Sequence, residues 1–140
     1  MMPLIRDYKN GDFISLQNLW KLTDMGQIER GDNEEVIERC NAMGGKLLVM
    51  EIQDTKEIIG SSWMTWDGRR ISLHHFGILP AYQNRGFGTM LAEKSMKWIR
   101  EKGQQVKLEV HKQNLPAKRL YEKFGFISFE DYDIYMKRDV

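Results

Sequence analysis

Ile78-Leu79-Pro80-Ala81-Tyr82-Gln83-Asn84-Arg85-Gly86-Phe87-Gly88-Thr89-Met90-Leu91 is the stretch whose reading decides the fold. An aliphatic run stops at a proline, the chain turns through two glycines, and a helical apolar pattern begins at once. Glycine lets backbone come close to a ligand, and the first turn of a helix offers unpaired N–H groups at the positive end of its dipole. Together these make a ready site for a diphosphate. An ordinary strand-to-helix turn would use Gly-x-Gly equally well, so the flanking residues must decide. A Walker-type loop needs Gly-Lys-Ser/Thr at its end, whereas Gly88 is followed by Thr89-Met90. A dinucleotide-binding fingerprint needs a small residue three positions after Gly88, and Leu91 stands there.

Upstream, Lys46 to Ile52 and Glu57 to Trp66 read as strands about a Gln53-Asp54-Thr55 turn, and Asp67-Gly68 signals a hairpin into a strand over Arg69 to Leu79. Before them, Leu4 to Tyr8 opens as a strand. Asn10 or Asp12 caps a helix carrying Phe13, Leu16, Leu19 and Trp20. Asp32 with Glu35 suggests a capping box for a second helix, which ends at Gly44-Gly45. Downstream follow a helix from about Gly86 to Lys102, a strand over Gln105 to His111, a helix from about Leu115 to Phe124, and two short strands ending near Arg138. An antiparallel front half and a β-turn-α-β rear half make an α/β chain of the α+β type.

A chain of 140 residues suits one domain spanning 1–140. With 41% hydrophobic and 29% charged residues it has the composition of a soluble protein, and no apolar run is long enough to span a bilayer. The start, MMPLIRDYKN, lacks the apolar core of a secretory signal, so the cytoplasm is the expected address. The net charge of +1 conceals a basic second half, with 12 Lys/Arg against 8 Asp/Glu from residue 71 onward. Those basic residues are interrupted by acids and apolar positions, which argues against a nucleic-acid surface. The lone Cys40 reads as a small apolar residue of the second helix rather than a nucleophile. Trp20, Trp63, Met64 and Trp66 read as core.

At Ile78-Leu79-Pro80 and Gln83-Asn84-Arg85-Gly86-Phe87-Gly88 the sequence resembles the GNAT acyltransferases, whose signature is Gln/Arg-x-x-Gly-x-Gly/Ala just after a strand ending in aliphatic-x-Pro. The second family signature is also present, as Glu109-Val110 followed by Asn114, Ala117, Leu120-Tyr121 and Gly125-Phe126. The match is strong over about residues 71 to 128, while the first 70 residues agree only in element order. It is similar in particular to small bacterial acetyltransferases near the ribosomal-protein alanine N-acetyltransferase branch.

The resemblance implies a mostly antiparallel mixed sheet of six to seven strands, with strands four and five splayed and about four helices around it. It implies acetyl-CoA or coenzyme A as co-substrate and no metal. Backbone groups of Phe76, Gly77 and Ile78 would pair with the pantetheine arm, Gln83, Asn84, Arg85, Gly86, Phe87, Gly88 and Thr89 would hold the pyrophosphate, and Asn114 would meet the pantetheine while capping its helix. Tyr121 would protonate the departing thiolate and also line the cofactor site. A phenol titrating near about 10 is protonated at neutral pH and suits that task, although Tyr121 also fits an ordinary core aromatic.

The attacking amine must lose a proton, because an alkylammonium titrating at about 10.4 is not nucleophilic at pH 7. Glu109, twelve residues before Tyr121, is the first candidate base by resemblance; a solvated strand glutamate is the competing reading. His74, His75 or a relayed water are the alternatives, and strand alternation would send only one of the two histidines to the substrate side. The loop from Asp24 to Asp32 falls where the family lines its acceptor pocket, and Asp24, Glu29 and Asp32 would attract a cationic amine. The implied function is transfer of an acetyl group to a primary amine, on a small molecule or a peptide, by direct attack in a ternary complex. The resemblance allows a homodimer through the C-terminal strands. A catalytically silent acyl-CoA sensor is the alternative, and a phosphate-binding protein unrelated to CoA leaves the Asn114 to Phe126 run unexplained.

Overall fold

Strands form where turn signals bracket apolar runs, and the computed structural model, which describes residues 2–140, places four of them in an antiparallel meander. These are β1 (Leu4–Asp7), β2 (Lys46–Ile52), β3 (Glu57–Trp66) and β4 (Ile71–Ile78), with β5 (Val106–Leu108) added parallel to β4. The sheet order is β1-β2-β3-β4-β5. Between β1 and β2 the chain forms α1 (Phe13–Leu22), a 3₁₀ turn (Ile28–Arg30) and α2 (Glu34–Ala42), and between β4 and β5 it forms α3 (Phe87–Lys102). All of these belong to one unit ending at Glu109. The second unit, Val110–Val140, contains α4 (Leu115–Lys123).

Along β2 and β3 burial is almost unbroken instead of alternating, the pattern of strands covered on both faces. Leu16, Leu19 and Trp20 of α1 and Leu91, Ala92 and Ile99 of α3 are buried, and both helices pack on β3. Two serines inside this apolar layer have hydrogen bonds to offset their desolvation. Ser62 Oγ meets Ser95 Oγ at 2.7 Å, and Ser95 Oγ also donates to the Leu91 carbonyl at 2.8 Å, which ties α3 to β3. Ser61 accepts from Trp20 Nε1 at 2.9 Å and donates to the His75 carbonyl at 2.6 Å, which ties α1 to β4 through β3.

Three expectations need correction. Among the described residues the sheet has five strands, not six or seven. Among the described residues, those beyond Phe126 form no strand, and Ile127, Phe129, Tyr132, Ile134 and Tyr135 are exposed. A strand is stable only beside a partner that takes up its N–H and C=O groups, and the acidic Glu130, Asp131 and Asp133 interrupt the apolar alternation there. The fifth strand is also shorter than Gln105 to His111, pairing only over Val106–Leu108. Finally, Asn33, not Asp32, caps α2, with its Oδ1 accepting from Val36 N at 3.0 Å.

Asp12 sits at the N-cap of α1 without bonding the helix, because Arg6 claims its carboxylate. Arg6 bridges Asp12 at 2.8 Å and Glu51 at 2.9 Å, so two buried carboxylates share one guanidinium. Burial alone would raise Asp12, but the Arg6 hydrogen bond overrides it and holds the carboxyl below its usual range. Glu51 is held low chiefly by the same arginine.

Candidate active site

The end of β4 and the start of α3 form a backbone cradle. Asn84 and Gly86 both adopt left-handed conformations, with φ of 63° and 83°, and Gly86 is the N-cap of α3 without any side-chain cap. The first helical backbone bond runs from Met90 N to Gly86 O at 3.2 Å, which leaves the N–H groups of Phe87, Gly88 and Thr89 without acceptors in the helix. A Cβ at Gly86 would meet nothing within 4 Å, so glycine serves the backbone angle and the space above it is open. Gln83, Asn84, Arg85 and Gly86 are exposed, while Phe87 anchors the helix start in the core. Arg85 lies over the Tyr82 ring at 5.3 Å, keeping a cation beside the loop. Gln83 donates from Nε2 to the Ile78 carbonyl at 2.8 Å, so this side chain braces the turn from within the protein.

Beside the cradle, β4 loses its parallel neighbour. Pairing with β5 runs from Ile71↔Val106 to Leu73↔Leu108 and stops, whereas β3 stays paired through Ser61↔Gly77 and Gly60↔Ile78. Gly77 and Ile78 therefore lie beyond the reach of β5. A Cβ at Gly77 would come within 2.9 Å of Met25 Cε, so the α1–α2 connection packs directly on this stretch. Phe76 and Gly77 are half-buried and Ile78 is buried.

The register with β3 slips between Ser61 and Trp63, and His75 has a φ of 45°, a bulge in the middle of the strand. The bulge breaks the alternation on which the two histidines were assigned to opposite faces. His74 is exposed and reaches Thr65 Oγ1 with Nε2 at 2.8 Å. His75 turns inward, edge-on to the Trp20 ring at 4.7 Å and the Trp63 ring at 5.4 Å. Trp20 and Trp63 stack on each other at 5.7 Å and are buried as expected of core residues, yet they also wall this imidazole. His75 Nε2 lies 2.9 Å from Asp32 Oδ1, though out of line for a well-formed hydrogen bond. Asp32 Oδ2 in turn accepts from Gln27 N at 2.6 Å. Burial pushes His75 below its ordinary titration range against the pull of Asp32, and His74 is pushed the same way by desolvation and then by His75. Among the described residues, two of the three buried polar side-chain atoms lacking a hydrogen bond, Trp63 Nε1 and His75 Nε2, belong to this cluster.

Glu109 is exposed, one residue beyond the end of β5, close enough for its charge to act on His74. In the second unit, Asn114 caps α4 by accepting from Ala117 N at 3.3 Å. Tyr121 on that helix packs on Phe126 with ring centroids 5.7 Å apart, and burial pushes its phenol up to about 12. Cys40 is half-buried and burial raises its thiol, the opposite of an activated nucleophile. Among the described residues no cluster of three or more potential metal ligands occurs, and no helix is long and apolar enough to cross a membrane.

Three partners of the site were not read from sequence: Ser61, Met25, and Asp32 as the companion of His75. Ser61 left a trace, since a serine within a strand apolar on both faces has to find a hydrogen-bond partner. For Met25 and Asp32 there was none, because a loop residue's partner depends on how the loop returns to the sheet.

Residues 13–126 match the acetyltransferase (GNAT) family, and the chain belongs to it. Over 87 residues it is 37% identical to a [ribosomal protein bS18]-alanine N-acetyltransferase of Haemophilus influenzae, a match covering 61% of this chain and 59% of that relative. A Yersinia pestis acetyltransferase is 27% identical over 123 residues, 87% of this chain and 86% of its own. In fold, the chain is similar to the PaiA N-acetyltransferase of Thermoplasma acidophilum, solved in complex with coenzyme A. The TM-score is 0.75 at 20% identity, covering 95% of this chain and 94% of that one.

Proposed function

We propose that residues 1–140 act as one acetyltransferase domain that binds acetyl-CoA and passes its acetyl group directly to a primary amine. The observation that carries this reading is the cradle from Asn84 to Thr89: two left-handed residues lead into three N–H groups without helical acceptors, directly after a strand whose neighbour ends at Leu108. The positive end of α3 suits the pyrophosphate. Backbone groups of Phe76, Gly77 and Ile78 serve the pantetheine amides, in line with the family resemblance. Gln83 lines the pyrophosphate cradle with Asn84 to Thr89, in line with the family resemblance, and its side chain braces the strand end through the Ile78 carbonyl.

In the reaction, the amine lone pair attacks the thioester carbonyl, the C–N bond forms, and the C–S bond breaks. The departing thiolate takes a proton from Tyr121, whose burial-raised phenol stays protonated at neutral pH. A base removes the ammonium proton, and Glu109 is the residue to which the resemblance points. Asn114 adds a pantetheine contact to its capping role. The acceptor is a small-molecule or peptide amine, and the bS18-alanine relative makes an alanine-initiated peptide the first to try.

Thermal unfolding with and without acetyl-CoA, followed by thiol release against a panel of amines, tests this. Ligand at a hundred times its Kd should stabilise the protein by about 2.7 kcal/mol. A shift with amine-dependent thiol release establishes the transferase. A shift with no turnover of any amine favours the silent sensor, and no shift defeats the cradle reading.

A further inference from the structure

His75, Asp32, Trp20 and Trp63 form a built cluster that neither motif of the sequence encodes. The imidazole sits on a bulge at φ 45°, its own carbonyl is fixed by Ser61 at 2.6 Å, and two indoles hold its plane at 68° and 76°. Such backbone strain persists only where the surroundings enforce it, and it gathers at functional positions. Nε2 is buried 2.9 Å from Asp32 Oδ1, and Nδ1 is the ring nitrogen that Asp32 does not engage. A carboxylate beside Nε2 favours the tautomer with hydrogen on Nε2 and a free lone pair on Nδ1.

We propose that His75 receives the acceptor's ammonium proton at Nδ1, with Asp32 as the positioning residue behind it; this rests on the transferase reading above. The ammonium N–H bond gives its proton to Nδ1 and keeps its electron pair on nitrogen, which then attacks the thioester carbonyl. Asp32 and the faces of Trp20 and Trp63 stabilise the imidazolium so formed, until it releases the proton to solvent. His75 is fixed by Ser61, Trp20 and Trp63, whereas Glu109 is exposed. Asp32 is the charged group recorded against the ring, with the His74 ring 6.5 Å away; Trp20, Trp63 and Ser61, from α1 and β3, carry no charge.

The test has two arms on the full chain. A long-range ¹H–¹⁵N spectrum of the imidazoles, which needs no acceptor, should show His75 protonated on Nε2 with Nδ1 bare; protonation on Nδ1 overturns the proposal. The second arm measures kcat/KM against pH with acetyl-CoA and an alanine-initiated peptide, spermidine, kanamycin and glycine. Wild-type turnover of any of these tests the transferase reading by itself. His75→Gln should then lower kcat about 100-fold and abolish the acid limb of the profile, with KM for acetyl-CoA changed by less than about threefold. Asp32→Asn should lower kcat about tenfold and move the acid limb to lower pH. Glu109→Gln should keep that limb. If Glu109→Gln removes it and His75→Gln does not, the base is Glu109. Thermal unfolding of each variant separates a lost proton acceptor from a lost fold.

Discussion

The cradle after β4 and the bulge within β4 are built in opposite ways. From Asn84 to Thr89 the groups that matter are backbone N–H donors without acceptors in the helix, and the side chains of Gln83, Asn84 and Arg85 brace the turn or face solvent. At His75 the carbonyl is held by Ser61, and the imidazole is the group proposed to react. A backbone site needs only the right dihedral angles, which glycine and a helix start write into adjacent residues. A side-chain site needs partners from α1, β3 and the Asp32 loop, brought together by the fold. The difference separates the proposed cofactor cradle from the proposed acceptor site.

The contrast can be broken most severely at Ser61. Ser61→Val should cost about 2–4 kcal/mol, because the Trp20 N–H and the His75 carbonyl would be buried without partners; denaturant unfolding measures it. A loss under about 1 kcal/mol would show that the bulge is held by packing instead. Gly86→Val should weaken acetyl-CoA by about 100-fold in calorimetric titration, since it strains a residue at φ 83° and fills the open space over the cradle. The same change should lower stability by only about 1–2 kcal/mol.

Proton linkage sharpens the comparison further. His75 is held below its unfolded titration range, so the unfolded chain binds more protons there. Stability should therefore fall as the pH drops below about 6.5 toward the folded value, and His75→Gln should flatten that slope. Gly86→Val should leave it unchanged. A separate loss belongs to Asp12 and Glu51, whose folded values are depressed. Their contribution is full above the unfolded carboxylate range and disappears as the pH falls through the folded values. The smallest effect is expected at Asn114, where alanine should cost about 1 kcal/mol through the lost cap of α4.

Local signals carried most of the fold. Lys46–Ile52 and Glu57–Trp66 form with the boundaries read from their apolar runs, and α1, α2, α3 and α4 lie where helical spacing and glycine stops set them. The failures were all matters of partnership. The two short strands expected to end near Arg138 do not form among the described residues, and β5 pairs over three residues because strand length depends on the neighbour. Asp32 resembled a helix cap because capping is local; its contact with His75 spans the α2–β3 region and leaves no mark in sequence. The cradle was legible because it depends on backbone alone, the property that suits it to the cofactor role proposed for it.

The most direct measurement is a ¹H–¹⁵N amide spectrum of the ¹⁵N-labelled protein titrated with acetyl-CoA. The largest shifts should fall on the N–H groups of Phe87, Gly88 and Thr89, followed by Gly77 and Ile78. Binding whose largest shifts lie elsewhere, or no shift at saturating acetyl-CoA, would contradict the assignment of the cradle as the site that holds the cofactor.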